Sequence, residues 1–390
     1  MHRTRYIACC LAVVLAAAST VVSQTGNSGG VALAGTIKSA EAGDADAMFR
    51  MGISYLEGRD VQPNASTAFS WLQKAAEKDH VEAQFALGRM YRDGSGVARD
   101  LSLAYKWLRA ADLNGNRNIE ASLREIAAAM SEQEWQQAEE DALEWALPRL
   151  RNRADSGDSQ AQAQLGLVYA TGTGVERDDK EAFAWYSKAA AQANVEGIYA
   201  IGEFYATGRG VGLNYVEAAK WMRAAAEKGD PRGQANLSSL YALGQGVEQN
   251  DSEAIRWGLK SAEQGNPTGQ FNLGSLYSNG KGVAKDLREA AKWYEKACQQ
   301  DYFNACNNLA WLLATESEIR DPVRAVELAK KAVELTGGAY AAYFDTLARA
   351  YYENGQFQEA VEAESKAVDL KPDEADYKDS MARYLKARDH

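Results

Sequence analysis

The stretch DSQAQAQLGLVYATGTGVERDDKEAFAWYSKAAAQAN, residues 158–194, decides the fold. It consists of an alanine- and leucine-rich run, the loop T-G-T-G-V-E-R-D, and a second apolar run. In the first run Ala161 and Tyr169 lie eight residues apart, and in the second Ala182 and Trp185 lie three apart. Both spacings place apolar side chains on one face of a helix. The stretch therefore predicts two helices joined by a short glycine loop.

Local signals mark where these two helices end and begin. Gly172 follows the first apolar run, where a glycine can adopt the left-handed conformation that ends a helix. Asp178, with Glu181 three residues later, predicts a capping box at the start of the second helix. The same pair of residue types returns at three later positions: Asn214 with Glu217, Asn250 with Glu253, and Asp286 with Glu289.

The unit repeats along the chain with a period of 36 residues. One set of glycines and one set of tryptophans follow this period, and each set has a single wider step of 78 residues. Ser238 stands where one glycine is expected, which we interpret as a mild exchange between small residues. A shared period of this kind indicates a structural repeat. The glycines are Gly52, Gly88, Gly166, Gly202 and Gly274, and the tryptophans are Trp71, Trp107, Trp185, Trp221, Trp257 and Trp293.

The consensus A-x-x-x-L-G-x-x-Y-x-x-G-x-G-V-x-x-D-x-x-x-A-x-x-W-Y-x-K-A-A resembles the Sel-1-like repeat, a relative of the tetratricopeptide repeat. It covers residues 44–302 in six copies with one interruption. The resemblance implies an all-α fold, an α/α right-handed superhelical solenoid of helix-turn-helix repeats. It also implies a scaffold for protein interactions. Stacked repeats of this kind share one continuous core.

The pattern divides the chain into segments. Residues 115–157 break the period but keep helical stripes, so we predict a degenerate helix pair that acts as an internal cap, with a hinge as the alternative. We expect Pro148 to end the second helix of this pair. The predicted segments are a signal peptide (1–23), a flexible leader (24–36), repeats one and two (37–114), the degenerate pair (115–157), repeats three to six (158–302), two tetratricopeptide-like repeats (303–372) and a capping helix (373–390). For the end of the leader, the alternative is a short helix that begins within V-A-L-A-G-T-I-K-S-A, residues 31–40, and caps the first repeat.

The N-terminus resembles an export signal. His2, Arg3 and Arg5 precede an apolar run at 7–18, which at 12 residues is shorter than the roughly 20 needed to cross a bilayer. We predict cleavage after Ser23, with Ala18 as the alternative site and an uncleaved anchor as the competing interpretation. The mature chain would then be periplasmic or secreted, without a stable membrane span.

Composition argues against several kinds of chemistry. A formal net charge of −11 and the lack of a clustered basic face argue against nucleic-acid binding. Only His80 and His390 remain after removal of the signal, and we interpret His80 as a solvated turn residue, so a Ser-His-Asp or Cys-His site is not expected. Cysteine and histidine show no metal-ligand spacing, and the glycine loops do not fit a phosphate loop. We therefore predict no enzyme, no catalytic residue, no metal and no cofactor.

The partner-binding prediction uses the tetratricopeptide architecture, in which first helices line the concave face. The position three residues before each repeat glycine faces that groove. Phe49, Phe85, Tyr199 and Phe271 occupy it, and Trp311 lies one residue past position 310, where the glycine period continues in the seventh unit. These rings are either binding residues or packing residues, and the sequence does not decide between them. As binding residues, Phe85, Tyr199, Phe271 and Trp311 would form an interrupted aromatic ladder along the groove. Ala163, Ala235 and Asn307 hold the remaining positions of the series, and we expect Ala163 and Ala235 to leave pockets between the rings that accept ligand side chains.

Cys298 and Cys306 would be the only cysteines of the mature chain. Their spacing resembles that of cysteine-rich Sel-1-like proteins, which join consecutive helices by a disulfide, and an oxidising compartment permits one here. The resemblance therefore predicts a Cys298–Cys306 disulfide.

The predicted function is an exported, non-catalytic scaffold that binds an unidentified protein or peptide along its concave groove. Two alternatives are an envelope assembly factor for a secreted polysaccharide and a secreted factor that binds host or cell-wall components.

Overall fold

A computed structural model describes residues 29–116 and 119–389. Within that part of the chain the regular structure is entirely helical. The chain forms two compact units, with the division between Gly157 and Asp158. Each unit is described by itself.

The first unit contains two repeats between an entry helix and a longer helix pair. Its helices are α1 (Gly29–Glu41), α2 (Ala45–Glu57), α3 (Ala65–Ala76), α4 (Val81–Asp93), α5 (Leu101–Leu113), α6 (Glu120–Ala128) and α7 (Glu132–Asp155).

The second unit contains six helix pairs and one final helix. Its helices are α8 (Ser159–Thr171), α9 (Asp179–Ala191), α10 (Val195–Thr207), α11 (Tyr215–Glu227), α12 (Pro231–Leu243), α13 (Asp251–Glu263), α14 (Pro267–Asn279), α15 (Leu287–Cys298), α16 (Phe303–Thr315), α17 (Pro322–Leu335), α18 (Ala341–Glu353), α19 (Phe357–Leu370) and α20 (Ala375–Arg388).

The helix ends largely follow the sequence signals. Gly172 ends α8 in the left-handed conformation with φ +76°. The Asp178 carboxylate caps α9 by accepting hydrogen bonds from the backbone N–H groups of Lys180 and Glu181. The predicted capping box is not formed there, because the Glu181 side chain instead accepts a hydrogen bond from Trp185 Nε1 at 2.9 Å. The spacing of these residues, which recurs between repeats, thus places the acidic side chain against the repeat tryptophan.

A second loop glycine is needed where one repeat meets the next. At Gly246, with φ +68°, an added Cβ would lie 1.9 Å from the Tyr215 backbone oxygen at the start of α11. In the first repeat, which no repeat precedes, Asp60 occupies the position of the second loop glycine. It adopts the left-handed conformation with φ +59°. Glycine is therefore required where the loop contacts the preceding second helix.

Each repeat glycine of the first helix faces a larger side chain 20 residues later. An added Cβ at Gly88 would lie 2.7 Å from Leu108 Cγ, and one at Gly274 would lie 2.8 Å from Tyr294 Cδ1. In the fifth repeat the glycine lies on the second helix instead, and the larger residue lies on the first. A Cβ added at Gly258 would lie 3.0 Å from Ser238 Oγ. The exchange of glycine for Ser238 on the first helix is thus accompanied by a glycine at the facing position of the second helix.

Buried glutamines near the N-terminal ends of first helices form hydrogen bonds with the C-terminal ends of neighbouring second helices. The Gln270 side chain donates to the Ala262 backbone oxygen at 3.4 Å and accepts from Gln300 Nε2 at 2.9 Å. In the next repeat, 36 residues later, the two equivalent positions hold Cys298 and Cys306. The structure joins them in a disulfide with a Cα–Cα distance of 4.8 Å. The disulfide thus occupies the place of a side-chain hydrogen bond.

Two predictions for the first unit need correction. Helix α7 continues through Pro148 to Asp155, because its buried stripe of Ala146, Leu150 and Ala154 extends past the proline. Residues 29–36 of the predicted flexible leader belong to helix α1, whereas residues 24–28 and the whole predicted signal peptide lie outside the described residues.

The helix pair α6–α7 packs against α5 of the second repeat. Trp145 on α7 meets Trp107 on α5 edge to face, with ring centroids 5.0 Å apart. The pair therefore belongs to the first unit and covers its last repeat.

Candidate protein-interaction face

First helices of the second unit form a row. Helix α12 packs against α14, and α16 packs against α18. The Asn272 side chain on α14 bridges two of them, because its Nδ2 lies 2.9 Å from both the Ala235 backbone oxygen and Ser239 Oγ on α12. We call the side of this row that points away from the second helices the first-helix face.

Tyr199 on α10 is half-buried, and its ring is covered on one side by the protein itself. The Arg232 guanidinium carbon lies 4.1 Å from the ring centroid. Glu196 and Asp230 hold this arginine through hydrogen bonds of 2.8 and 2.7 Å. Burial raises the pKa of Tyr199 to about 12. Tyr199 therefore combines a packing role with a partly exposed ring.

Phe271 on α14 is also half-buried. Its ring lies between Tyr294 and Tyr302, with centroid distances of 5.7 and 5.3 Å. Ala163 and Ala235, which we expected to leave pockets between the rings, are fully buried. They offer no side-chain surface to a partner.

The two predicted rings of the first unit are half-buried as well. Phe49 stacks on His80 with ring centroids 4.6 Å apart, and Phe85 lies beneath the guanidinium of Arg89 at 5.7 Å. Because the two units are separate bodies here, Phe49 and Phe85 form their own group. They are not assigned to a common ladder with the rings of the second unit.

His80 is not the solvated turn residue that we expected. Its Nδ1 accepts a hydrogen bond from the Ala83 backbone N–H at 3.2 Å and so caps α4. Its Nε2 lies 3.1 Å from an Asp46 carboxylate oxygen, and only 9% of its side chain is exposed. The His80 imidazole thus caps the first helix of its repeat, as an aspartate or asparagine does in most other repeats.

Trp311 on α16 is the predicted residue that the structure leaves most accessible, with 41% of its surface exposed. The equivalent positions of the three preceding repeats hold Glu203, Ser239 and Ser275. Asn307, one turn earlier on the same helix, has a side-chain oxygen without a hydrogen-bond partner among the described residues. A large exposed ring thus lies one helical turn from an unsatisfied polar group on α16.

Sequence reasoning missed a group of aromatic rings at the N-terminal ends of α16 and α18. Phe303 stacks on Tyr302 with centroids 6.0 Å apart, and it stacks on Tyr340 at 6.4 Å. Tyr343 lies 5.3 Å from Tyr340, and its hydroxyl donates to Asn304 Oδ1 at 2.5 Å. The signal was available, because tyrosines 302 and 340 occupy N-cap positions where most earlier repeats have aspartate or asparagine.

A small cleft between α15, α16 and α17 offers little for chemistry. Its volume is about 190 Å³, below the roughly 300 Å³ of a typical ligand site. Leu309 and Leu313 form part of its lining. The cations around it are already paired, for example Arg288 with Glu318 at 3.1 Å. None of the described helices is long and apolar enough to span a bilayer.

The architecture defines a class of protein, the α/α solenoids built from helix-turn-helix repeats. The Sel1 repeat model matches residues 45–80, 81–115, 159–194, 195–230, 231–266, 267–302 and 304–336. These matches cover more than half of the chain, so it belongs to the Sel1 repeat family. The seventh match falls on the first of the two repeats that we predicted to be tetratricopeptide-like. Proteins of this family are generally non-catalytic scaffolds.

Two solved structures illustrate the relationship. The chain is similar to c5321, a protective antigen present in uropathogenic Escherichia coli strains, with 30% identity over 86% of this chain and 71% of that one and a TM-score of 0.56. It also aligns with a Sel1 repeat protein from Oxalobacter formigenes, with 22% identity over 95% and 99% of the two chains and a TM-score of 0.49. The chain matches no curated protein.

Proposed function

We propose that the protein is an exported, non-catalytic scaffold that binds a protein or peptide along the first-helix face of its second unit. Family membership supports protein binding as the general role. The stacked first helices support an extended partner, because equivalent positions recur on neighbouring helices packed roughly 8–10 Å apart. Tyr199, Phe271 and Trp311 are the proposed contacts in this unit, and Phe49 and Phe85 are proposed contacts of the first.

The exposure of Trp311 carries this proposal. A tryptophan with 41% of its surface in water contributes less to the core than a buried one, and its equivalents in the three preceding repeats are polar. Aromatic side chains of this kind dominate binding energy at interfaces, where truncation typically costs about 2 kcal/mol or more. Tyr199 and Phe271 are half-buried, so their substitution would combine effects on folding and binding. Substitution of Trp311 therefore distinguishes an effect on binding from an effect on folding most clearly.

We expect Trp311→Ala to weaken partner binding by about 30-fold or more while leaving the thermal midpoint within about 2 °C. The partner is first identified by cross-linking capture on the mature chain, residues 24–390, and its affinity is then measured by calorimetry with purified proteins. Val323→Ala is the matched control, because Val323 is 60% exposed on the second helix α17. Equal affinity of wild type and Trp311→Ala would contradict the assignment of this face.

Export is a separate part of the proposal. A disulfide between two buried cysteines is expected to persist in an oxidising compartment, which supports a periplasmic or secreted location. We expect the protein recovered from the periplasm or medium of the native host to begin at Gln24 and to contain no free thiol. N-terminal sequencing and the intact mass after thiol alkylation would check both points. Recovery of full-length protein with four alkylated cysteines in the cytoplasm would contradict export.

A further inference from the structure

Glu364 on α19 is a buried carboxylic acid without a partner. Its side chain has no exposed surface, and neither carboxylate oxygen has a hydrogen-bond partner among the described residues. A buried carboxylate in this situation is strongly disfavoured, because ionisation would leave an unsolvated charge. The neutral acid is the form that this environment favours.

The groups around Glu364 belong to α18 and α20, the two helices that pack against α19. Burial is the main cause that raises the pKa of Glu364, to about 8, and the nearby Asp345 carboxylate adds to it while Arg383 opposes it. Burial also raises the pKa of Asp345 itself. The charged and titratable groups of this region are Asp345 and Arg349 on α18, Glu374 at the start of α20, and Asp376, Tyr377, Arg383 and Tyr384 on α20.

Helix α20 is held at this site by few contacts. Tyr384 is its only fully buried residue among those described, and its ring lies 5.0 Å from Tyr352 on α18. The N-cap residue Glu374 makes no side-chain capping bond. A helix with a single buried anchor has a low local stability. A modest electrostatic change beneath it is therefore enough to shift its docking equilibrium.

We propose that docking of α20 is linked to a proton on Glu364, so that ionisation of this carboxyl releases the helix. Burial beneath α20 keeps Glu364 neutral, and release of the helix hydrates the carboxylate. The docked state thus binds a proton that the released state loses. Docking is strongest below the ordinary pKa of about 4.5 and weakens as the pH rises toward about 8.

Release of α20 would uncover a surface of α19 that resembles the helix-packing surfaces of the preceding repeats. In the preceding repeats a second helix packs against the first helix of the next repeat, as α17 does against α18. Helix α20 packs against α19 in the same order. The surface of α19 that release exposes is therefore one that receives a helix, and the proton on Glu364 controls whether that surface is covered or open.

Hydrogen exchange on the mature chain tests the proposal. We expect the protection factors of the α20 amides, corrected for intrinsic rates, to fall by about tenfold or more between pH 6 and pH 9. The amides of α18 should keep their protection, which distinguishes local release from unfolding of the unit. In Glu364→Gln, which mimics the neutral acid, the fall should be less than about threefold. Glu362→Gln, at an exposed position of the same helix, should behave like wild type.

Several outcomes would overturn the proposal. One is wild-type α20 protection that does not change between the two pH values, and another is a parallel loss in α18. An equal fall in wild type and Glu364→Gln would show that other groups control the helix. If Glu364→Gln does not fold, the comparison of α18 with α20 in wild type and Glu362→Gln still decides the matter.

Discussion

Gly258→Leu is expected to destabilise the second unit by about 2 kcal/mol, and Ser238→Gly is expected to reverse most of that loss in the double variant. In the single variant the new side chain would meet Ser238, whose Oγ lies 3.0 Å from the position of an added Cβ. Overpacking of this kind typically costs about 1–3 kcal/mol. The double variant recreates the pairing of Gly88 with Leu108 in the second repeat.

The double-mutant cycle contains its own controls. Ser238→Gly alone should cost about 1 kcal/mol, because it adds a helical glycine and removes the hydrogen bond from Ser238 Oγ to the Ala254 oxygen at 2.7 Å. The coupling between the two sites should be about 1–3 kcal/mol and favourable, measured by urea denaturation of the mature chain. Additive effects of the two substitutions would show that the pair is not a packing unit.

Loss of the disulfide is expected to be the second large effect. Closing the short loop between Cys298 and Cys306 contributes about 2.5 kcal/mol in the chain-entropy model, so Cys298→Ala with Cys306→Ala should lower the unfolding free energy by about that amount. Denaturation of this double variant in urea, compared with the oxidised wild type, measures the loss.

A second double variant uses the neighbouring repeat as a guide. Cys298→Ala with Cys306→Gln recreates Ala262 and Gln270, whose side-chain to backbone hydrogen bond spans 3.4 Å. It should be more stable than the double alanine variant by about 1 kcal/mol, the usual net value of one such bond. If the two variants are equally stable, the glutamine and the disulfide are not interchangeable at this position.

The sequence was sufficient for the features that depend on local residue type. The 36-residue period predicted the helix pairs, and Gly172 ends its helix in the left-handed conformation as expected. The Cys298–Cys306 disulfide, which the resemblance implied, is present in the structure. These features follow from the repeat period and from short spacings along the sequence.

Features that depend on packing between helices were missed. Pro148 was expected to end a helix, but the buried stripe of α7 continues past it and outweighs one lost hydrogen bond. The packing role of Gly258 became apparent only in the structure, where it lies opposite Ser238. Glu364 looks like an ordinary charged residue of an amphipathic helix, and its burial becomes apparent only once α18, α19 and α20 are packed together.

The candidate site was predictable in outline only. The position of Trp311 on a first helix followed from the repeat, but its exposure did not. The half-burial of Tyr199 depends on Arg232, which the next repeat contributes from α12. Whether these rings bind a partner stays a prediction.

The most direct test of the proposed interaction face is hydrogen exchange of the mature chain with and without its purified partner. The account predicts that binding protects peptides of the first helices α10, α14 and α16, which carry Tyr199, Phe271 and Trp311. It also predicts little change in the second helices α11, α13 and α15. Protection confined to those second helices, with α16 unchanged, would contradict the claim that the partner binds along the first-helix face.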